Sequence, residues 1–474
     1  MSPADAGPVI PEPATKPAGT RIDGNNQLAL VSLLLGTFCG TLNNNIVNVP
    51  LKSIMTDLSV PLSLGALIVI GFNSTFAVLM PLTGWLGDRL GQRRVFLGAV
   101  ITLALGAVGA SLAGSLSTLL LFRMIQGAAT AAILPTVMSL ISQIFHGSGR
   151  ARAMGLWAAA NGLGQAVGPP VGGLLAHWSG WRAIFLPAVP LLLLAWAGAL
   201  RWVPATRPTR APLDRRGALL LTVGSALLIT AASAVPHTGV RSPWVMFAAL
   251  AGCLALIGFW VGIRQSARPF IQPEALTERS FVAAGTVAFA QMFVLGSVLL
   301  AVPLYLVTAR GLSTFSAGLL VFSLPAAMTA LATVAGVASE RYGTTPCLRA
   351  GILTVAIGAG ALAVFLASTA STPWLVFDLV VLGSGVAFVQ TPAATATSRA
   401  KAGRVGPGLG LFNLLRFAGS ALGAAWISIA LTAQLTFGWA LVGSTMVAVL
   451  GLAAALVTSR PGKSAPAPVS SRSG

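Results

Sequence analysis

The chain has 474 residues, 55% of them hydrophobic and only 8% charged. A soluble domain carries about 25% charged residues, so this chain cannot clothe a water-facing surface, and a soluble globular fold is excluded. The net charge of +19 raises the question of nucleic acid, but the basic residues stand singly between apolar runs and form no patch.

The apolar runs set the architecture. A bilayer core is crossed by roughly 20 apolar residues in a helix, and only a helix satisfies its own backbone within such a run. Residues 1–26 are Pro-rich with mixed charge and no apolar core, so they read as a disordered cytosolic tail and not a signal peptide. Fourteen spans are predicted, at 28–50, 64–86, 96–115, 117–141, 152–176, 181–201, 217–235, 243–263, 281–307, 315–337, 349–368, 373–397, 407–431 and 436–458. The first six form an N-terminal bundle over 27–203, followed by a cytosolic linker at 204–216. Two inserted spans occupy 217–264, a second cytosolic linker 265–279, a C-terminal six-helix bundle 280–459 and a cytosolic tail 460–474. The expected fold class is an all-α polytopic membrane protein of two six-helix bundles plus two inserted helices. Cys39, Cys253 and Cys347 lie in or beside apolar spans, with neither a disulfide framework nor metal spacing.

Charge placement tests this count. With both termini in the cytosol, only Lys52, Arg182, Arg241 and Arg310 fall outside, and Arg123 and Arg416 fall within spans. Every other Lys and Arg lies on the cytosolic side, as the positive-inside rule requires. Removing any single middle span would invert one half and erase the bias.

Two repeats relate the halves. Gly84 to Arg94 reads GWLGDRLGQRR, and a weaker copy, Gly336 to Pro346, reads GVASERYGTTP. Gly84, Asp88, Arg89 and Gly91 map onto Gly336, Glu340, Arg341 and Gly343. The glycines allow tight turns and close helix approach. Asp88 suits the positive N-terminal end of a helix in the other half, and Arg93 and Arg94 suit the anionic inner leaflet. Further on, Gly155, Gly164 and Gly168 of span 5 fall on Gly410, Gly419 and Gly423 of span 13. In span 5, Gly164, Gly168, Gly172 and Gly173 let helix backbones touch, and Pro169 and Pro170 remove two backbone donors.

Polar groups inside the spans are costly, and ionisable ones are functional candidates. Asp378 in span 12 is the one acid well inside the hydrocarbon; Arg123 in span 4 and Arg416 in span 13 are its candidate counter-charges. The acid either titrates during a transport cycle or forms a static ion pair. Span 1 ends in LNNNIVNVPLK, so Asn43, Asn44, Asn45 and Asn48 give a cluster of amides that either contacts a polar substrate or joins helices. Asn73, Gln126, Asn161, Gln165, Gln291, Gln390 and Asn413 are further candidates for a central cavity. Low aromatic content, 7%, gives no indication of a cage for quaternary ammonium groups.

Four stretches resemble one family. Gly84–Arg94 resembles the loop between spans 2 and 3 of the major facilitator superfamily, and Leu120–Ala132, with Arg123, Gln126 and Gly127, resembles its span-4 motif. GQAVGPPVGG, Gly164 to Gly173, resembles the span-5 antiporter motif, and Arg268–Phe281 resembles the loop entering span 9 of the fourteen-span drug/proton antiporters. The resemblance implies alternating access, a cytosolic latch at Gly84–Arg94, and proton-driven export of a small molecule by a monomer in a bacterial cytoplasmic membrane. It implies no cofactor, metal or nucleic acid. One departure matters: those antiporters carry an acid where this chain has Asn43, which leaves open an uncoupled facilitator or a symporter for a polar solute.

Overall fold

The computed structural model describes residues 24–206, 208, 214–266, 269, 271, 273–368, 371–399 and 406–458. The expected tails at 1–23 and 459–474 lie outside the described residues, as do parts of the expected linkers, including Arg268. Among the described residues the chain is all-α, with fourteen helices of 15 residues or more. They are α1 (Gly24–Asn45), α2 (Leu67–Leu90), α3 (Gln92–Ser111), α4 (Leu116–Ile144), α5 (Gly147–Ser179), α6 (Ala188–Trp202) and α7 (Arg215–Thr238). Then come α8 (Pro243–Gln265), α9 (Arg279–Thr308), α10 (Thr314–Tyr342), α11 (Thr344–Ala367), α12 (Thr372–Arg399), α13 (Gly406–Thr432) and α14 (Phe437–Thr458). Twelve of these, some with a short neighbouring segment, are long and apolar enough to cross a membrane; α1 and α5 fall short. Those two carry the asparagine cluster and the glycine-rich motif, so the polar and small residues that make them candidates for function also dilute their apolarity.

Helix ends follow local chemistry. Ser115 and Ser313 accept from the backbone N–H three residues on, at 3.3 and 3.1 Å, and Asp214 does so at 2.9 Å. Such caps satisfy donors that the first turn leaves free. Gly91 (φ 95°) and Gly343 (φ 92°) each stand alone between two helices, α2 and α3 in one case, α10 and α11 in the other.

Two sequence expectations are corrected here. Span 1 does not stay helical to residue 50: α1 ends at Asn45, and Asn48 lies in a turn before a short helix, Leu51–Asp57. Pro50 caps that helix, and the residue before a proline is disfavoured in helix. Likewise Gly84–Arg94 is not a loop. Gly84 to Leu90 complete α2, Gly91 alone makes the turn, and Gln92 begins α3. Asp88 and Arg89 are compatible with helix, so the chain continues until a residue with positive φ stops it.

The packing is pseudo-symmetric. α5 lies between α1 and α10, and α13 lies between α9 and α2. Glycine sets both contacts. A β-carbon on Gly164 would lie 2.6 Å from the Phe38 carbonyl oxygen of α1, and one on Gly318 of α10 would lie 2.5 Å from the Pro169 oxygen of α5. In the other half, a β-carbon on Gly419 would lie 2.5 Å from the Phe289 oxygen of α9, and one on Gly410 2.7 Å from Pro81 Cα of α2. The halves therefore meet along two seams, α2–α13 and α5–α10, where only glycine permits the approach. The inserted α7 covers the first seam: Ile229 packs with Val78 of α2 and with Ala418 and Ala421 of α13. α8 packs on α7 and is peripheral, with 22% of its apolar window buried against 89% for α9.

Candidate functional site

Arg123 is fully buried, at 0% exposure, on α4. Its Nη1 donates to the Asn43 carbonyl and to Gln126 Oε1, each at 2.8 Å, and its Nε donates to the Ile68 carbonyl at 3.3 Å. The guanidinium also lies over the Phe72 ring, 4.4 Å from the centroid. It thus ties α4 to α1 and α2 through neutral acceptors. Its Nη2 and the Gln126 Nε2 have no partner among the described residues.

A run of rings leads from there across the α2–α13 seam. Phe72 and Phe76 are 5.9 Å apart, and Phe76 sits 4.1 Å from Phe417 of α13. Arg416 lies 5.4 Å from the Phe417 ring and 5.8 Å from the Phe412 ring. Its Nη1 donates to Asn413 Oδ1 at 3.2 Å, while its Nε finds no acceptor among the described residues. Trp157 of α5 packs against the apolar cluster that holds Phe72 and Phe76, and its Nε1 is also without a partner among the described residues.

Asp378 lies elsewhere. It is 4% exposed on α12, a helix that packs mainly against α9, α10 and α11, and its Oδ2 has no partner among the described residues. No ion pair joins it to Arg123 or Arg416 among the described residues. Arg123 is held instead by carbonyls of α1 and α2, and Arg416 by Asn413 of its own helix. Gln291 of α9 is fully buried with both side-chain polar atoms unpartnered, and Asn73 Oδ1 of α2 is likewise open. Gln390 of α12 and Asn413 of α13 are half-buried.

The asparagines of span 1 divide. Asn43 folds back on its own helix and donates to the Cys39 carbonyl at 2.9 Å. Asn48 donates to Asn45 Oδ1, and Asn45 to the Gln165 carbonyl of α5, both at the long distance of 3.5 Å. Proline chemistry explains the second contact. Pro169 has no N–H, which frees the carbonyl one turn back, that of Gln165, to accept from another helix. Gln165 in turn donates to Asn161 at 3.3 Å. Asn44 is half-buried.

At the α2 terminus, Gln92 donates to Asp88 Oδ1 at 2.8 Å. Arg93 turns to a neighbouring helix. Its Nε donates to the Ala199 carbonyl at 3.3 Å and its Nη2 to that of Leu200, so it caps the last turn of α6. The backbone N–H of Arg93 donates to Thr206 Oγ1. Arg89 lies 5.2 Å from the Trp85 ring, and Arg94 is exposed. Gly84 meets open space. The second copy makes fewer contacts: Glu340 is exposed, and Arg341 rests on Tyr342 at 5.5 Å.

With the geometry in place, the family can be decided. A family model for the Major Facilitator Superfamily matches residues 33–424, and again 284–473. The chain belongs to the Major Facilitator Superfamily. It is a membrane transporter of that superfamily and not an enzyme. Among its relatives, the multidrug resistance protein Stp of Mycobacterium tuberculosis is 29% identical over 422 residues, covering 86% of this chain and 78% of that one. The methylenomycin A resistance protein of Streptomyces coelicolor is 29% identical over 422 residues, covering 88% of each. A crystal structure of the peptide transporter POT in complex with sulfate shares the fold, with a TM-score of 0.69 at 15% identity over 92% of this chain and 98% of that one.

Sequence reasoning missed two groups in this superfamily member. One is the set of rings around Phe76. The other is a brace beyond α1, where Trp181 Nε1 and Arg182 Nη1 both donate to Asp57 Oδ2, at 3.0 and 2.8 Å. Arg182 also donates to the Ala113 carbonyl at 3.2 Å and lies over Trp181. The Trp181 indole, then Arg182, hold the Asp57 carboxyl below its usual pKa. The only signal available was the pairing of one acid and one base among segments expected on the same side.

Proposed function

We propose that this transporter is a proton-driven exporter of drug-like or natural-product molecules, working by alternating access in a bacterial cytoplasmic membrane. The observation that carries the reading is the pair of glycine seams, α2–α13 and α5–α10. They join the halves through backbone approach, and such an interface suits two bundles rocking about a central site. Bacterial relatives named for drug resistance support the outward direction. In this reading α1 and α5 cross the membrane with the twelve more apolar helices, giving fourteen spans, both termini in the cytosol and a monomeric transporter. The halves are 27–203 and 280–459, with 217–264 inserted between them. Gly84–Arg94 is the cytosolic latch, carried mainly by the first copy, and Gly164–Gly173 forms the antiporter seam. Asp378 is the proton carrier, since it is a buried acid held by no base.

The experiment is a drug- and metabolite-susceptibility screen in a strain lacking its own pumps, with and without this chain, followed by transport in proteoliposomes containing a pH dye. Export predicts resistance to at least one compound and substrate-driven proton movement. Asp378→Asn retaining proton-coupled transport would sink the coupling role. A second reading, an uncoupled facilitator or a symporter for a polar solute, is favoured by Asn43 at the position where related antiporters carry an acid. Transport without proton movement would select the facilitator, and proton movement parallel to the solute the symporter.

A further inference from the structure

The two guanidiniums inside the membrane have no carboxylate partner among the described residues, and three rings connect them. Arg123 lies over Phe72, Phe72 meets Phe76, Phe76 meets Phe417 across the seam, and Arg416 borders Phe417. Trp157 brings a fourth aromatic side chain, from α5, to the same cluster. Both halves of the transporter thus contribute apolar rings to one place, with a cation at the edge.

Arg416 is the open end of this series. It shares a face of α13 with Asn413 and Ser420, three residues before it and four after. That face lies between the one touching α9 through Gly419 and Gly423 and the one touching α2 through Gly410 and Phe417. Arg416 is 9% exposed, and its Nε–H meets no acceptor among the described residues. The helices packed against α13 offer it no counter-ion. Asp88 lies in the exposed last turn of α2 with Gln92 as a partner, and Asp214 caps the start of α7. No acid occurs within α9, α13 or α14. Asp378 on α12 forms no ion pair with Arg416.

A buried guanidinium without an anion is costly. A ligand that brings an anion to it relieves that cost, whereas a cationic ligand is repelled, the more so in a low-dielectric interior. The planar fork matches a carboxylate or a similar oxyanion, and the adjacent rings suit a flat apolar body. Asn43 on α1 adds no negative charge that would favour a cation.

We infer that the substrate is a flat or aromatic molecule bearing an acidic group, with Phe417 and Trp157 taking its body and Arg416, oriented by Asn413, taking its anion. This rests on the reading of the chain as a small-molecule transporter, but on neither the direction of transport nor its proton coupling.

The test is equilibrium binding to the purified full-length protein in nanodiscs, with no gradient present. The probes are benzoate, 1-naphthoate and 9-anthroate, each with its matched primary amide and its arylmethylammonium analogue. At least one acid is expected to bind about tenfold or more tightly than its own amide, consistent with a charge-assisted pair, and the ammonium compounds more weakly still. Arg416→Gln should bring the acid to the affinity of the amide. Arg416→Lys should retain a reduced preference for the acid. The inference is overturned if no acid binds better than its amide, if an ammonium compound binds best, or if Arg416→Gln keeps the preference for acid. Should Arg416→Gln not fold, the wild-type comparison and Arg416→Lys still decide. Failure here leaves the exporter reading intact, because the susceptibility screen decides that reading independently.

Discussion

Arg123 donates to the main-chain oxygen of Asn43, 2.8 Å away, while the Asn43 side chain turns back to its own helix and donates to Cys39. Position 43 therefore serves the arginine through its backbone, which survives a change of side chain. Asn43→Ala removes one buried hydrogen bond and should cost about 1 kcal/mol. Arg123→Ala strands the acceptors of Asn43, Ile68 and Gln126 and leaves a void in the core. It should cost about 3 kcal/mol or more. Thermal unfolding of the two variants in detergent checks the order; a larger loss for Asn43→Ala would contradict it.

Gly91 and Gly343 make a second comparison. Their φ angles, 95° and 92°, lie where a side chain costs about 1–2 kcal/mol. Surroundings separate them. A β-carbon on Gly91 would lie 2.9 Å from the Thr206 carbonyl oxygen, whereas one on Gly343 would lie 3.7 Å from Pro346. Gly91→Ala should therefore lower the melting temperature more than Gly343→Ala, and both should lower it. Equal shifts would mean that the Thr206 contact carries no weight.

These positions explain how far the sequence could be read. The two glycines were legible because a positive φ between helices is a local demand, and Gly164, Gly419 and their neighbours because backbone contact leaves room for no other residue. The rings were not legible. Phe72 and Phe76 sit one turn apart in an apolar run, and nothing in their spacing announces Phe417, whose approach depends on the register of the α2–α13 seam. Nor does an asparagine's identity reveal whether its amide or its carbonyl will be used: Asn43 read as a substrate contact or a helix joint through its amide, and it is its backbone that holds Arg123. Asp378 read as half of a pair because charge complementarity is visible in sequence, whereas helix neighbourhood is not.

The Asp57 brace has a defined pH dependence. Its carboxyl is held below the ordinary value, first by the Trp181 indole and then by Arg182. The brace is therefore fully present above the unfolded pKa of about 4 and is lost as pH falls through the lowered folded value. Between about pH 5 and pH 3 the wild type should lose more thermal stability than Asp57→Asn, whose amide does not titrate there. Identical slopes for the two proteins would show that the brace contributes nothing to the folded state. The effect should also shrink in high salt, because the pair is exposed.

The seams supply the last prediction, since glycine is required there and not at Gly84. A β-carbon on Gly173 of α5 would overlap the Thr314 carbonyl oxygen of α10, and one on Gly410 of α13 would lie 2.7 Å from Pro81 of α2. Both obstacles are backbone or ring atoms that cannot rotate away. Gly173→Ala and Gly410→Ala should therefore spread the halves, each cutting transport about tenfold or more, a change of roughly 1.4 kcal/mol in the step that brings the halves together. Gly84 lies inside α2 with nothing within 4 Å of an added β-carbon. Gly84→Ala should leave stability unchanged or raise it by about 0.5–1 kcal/mol through helix propensity. Transport assayed at matched expression, beside melting temperatures of the three variants, separates the cases. Full transport by Gly173→Ala and Gly410→Ala would mean that the seams do not close during the cycle.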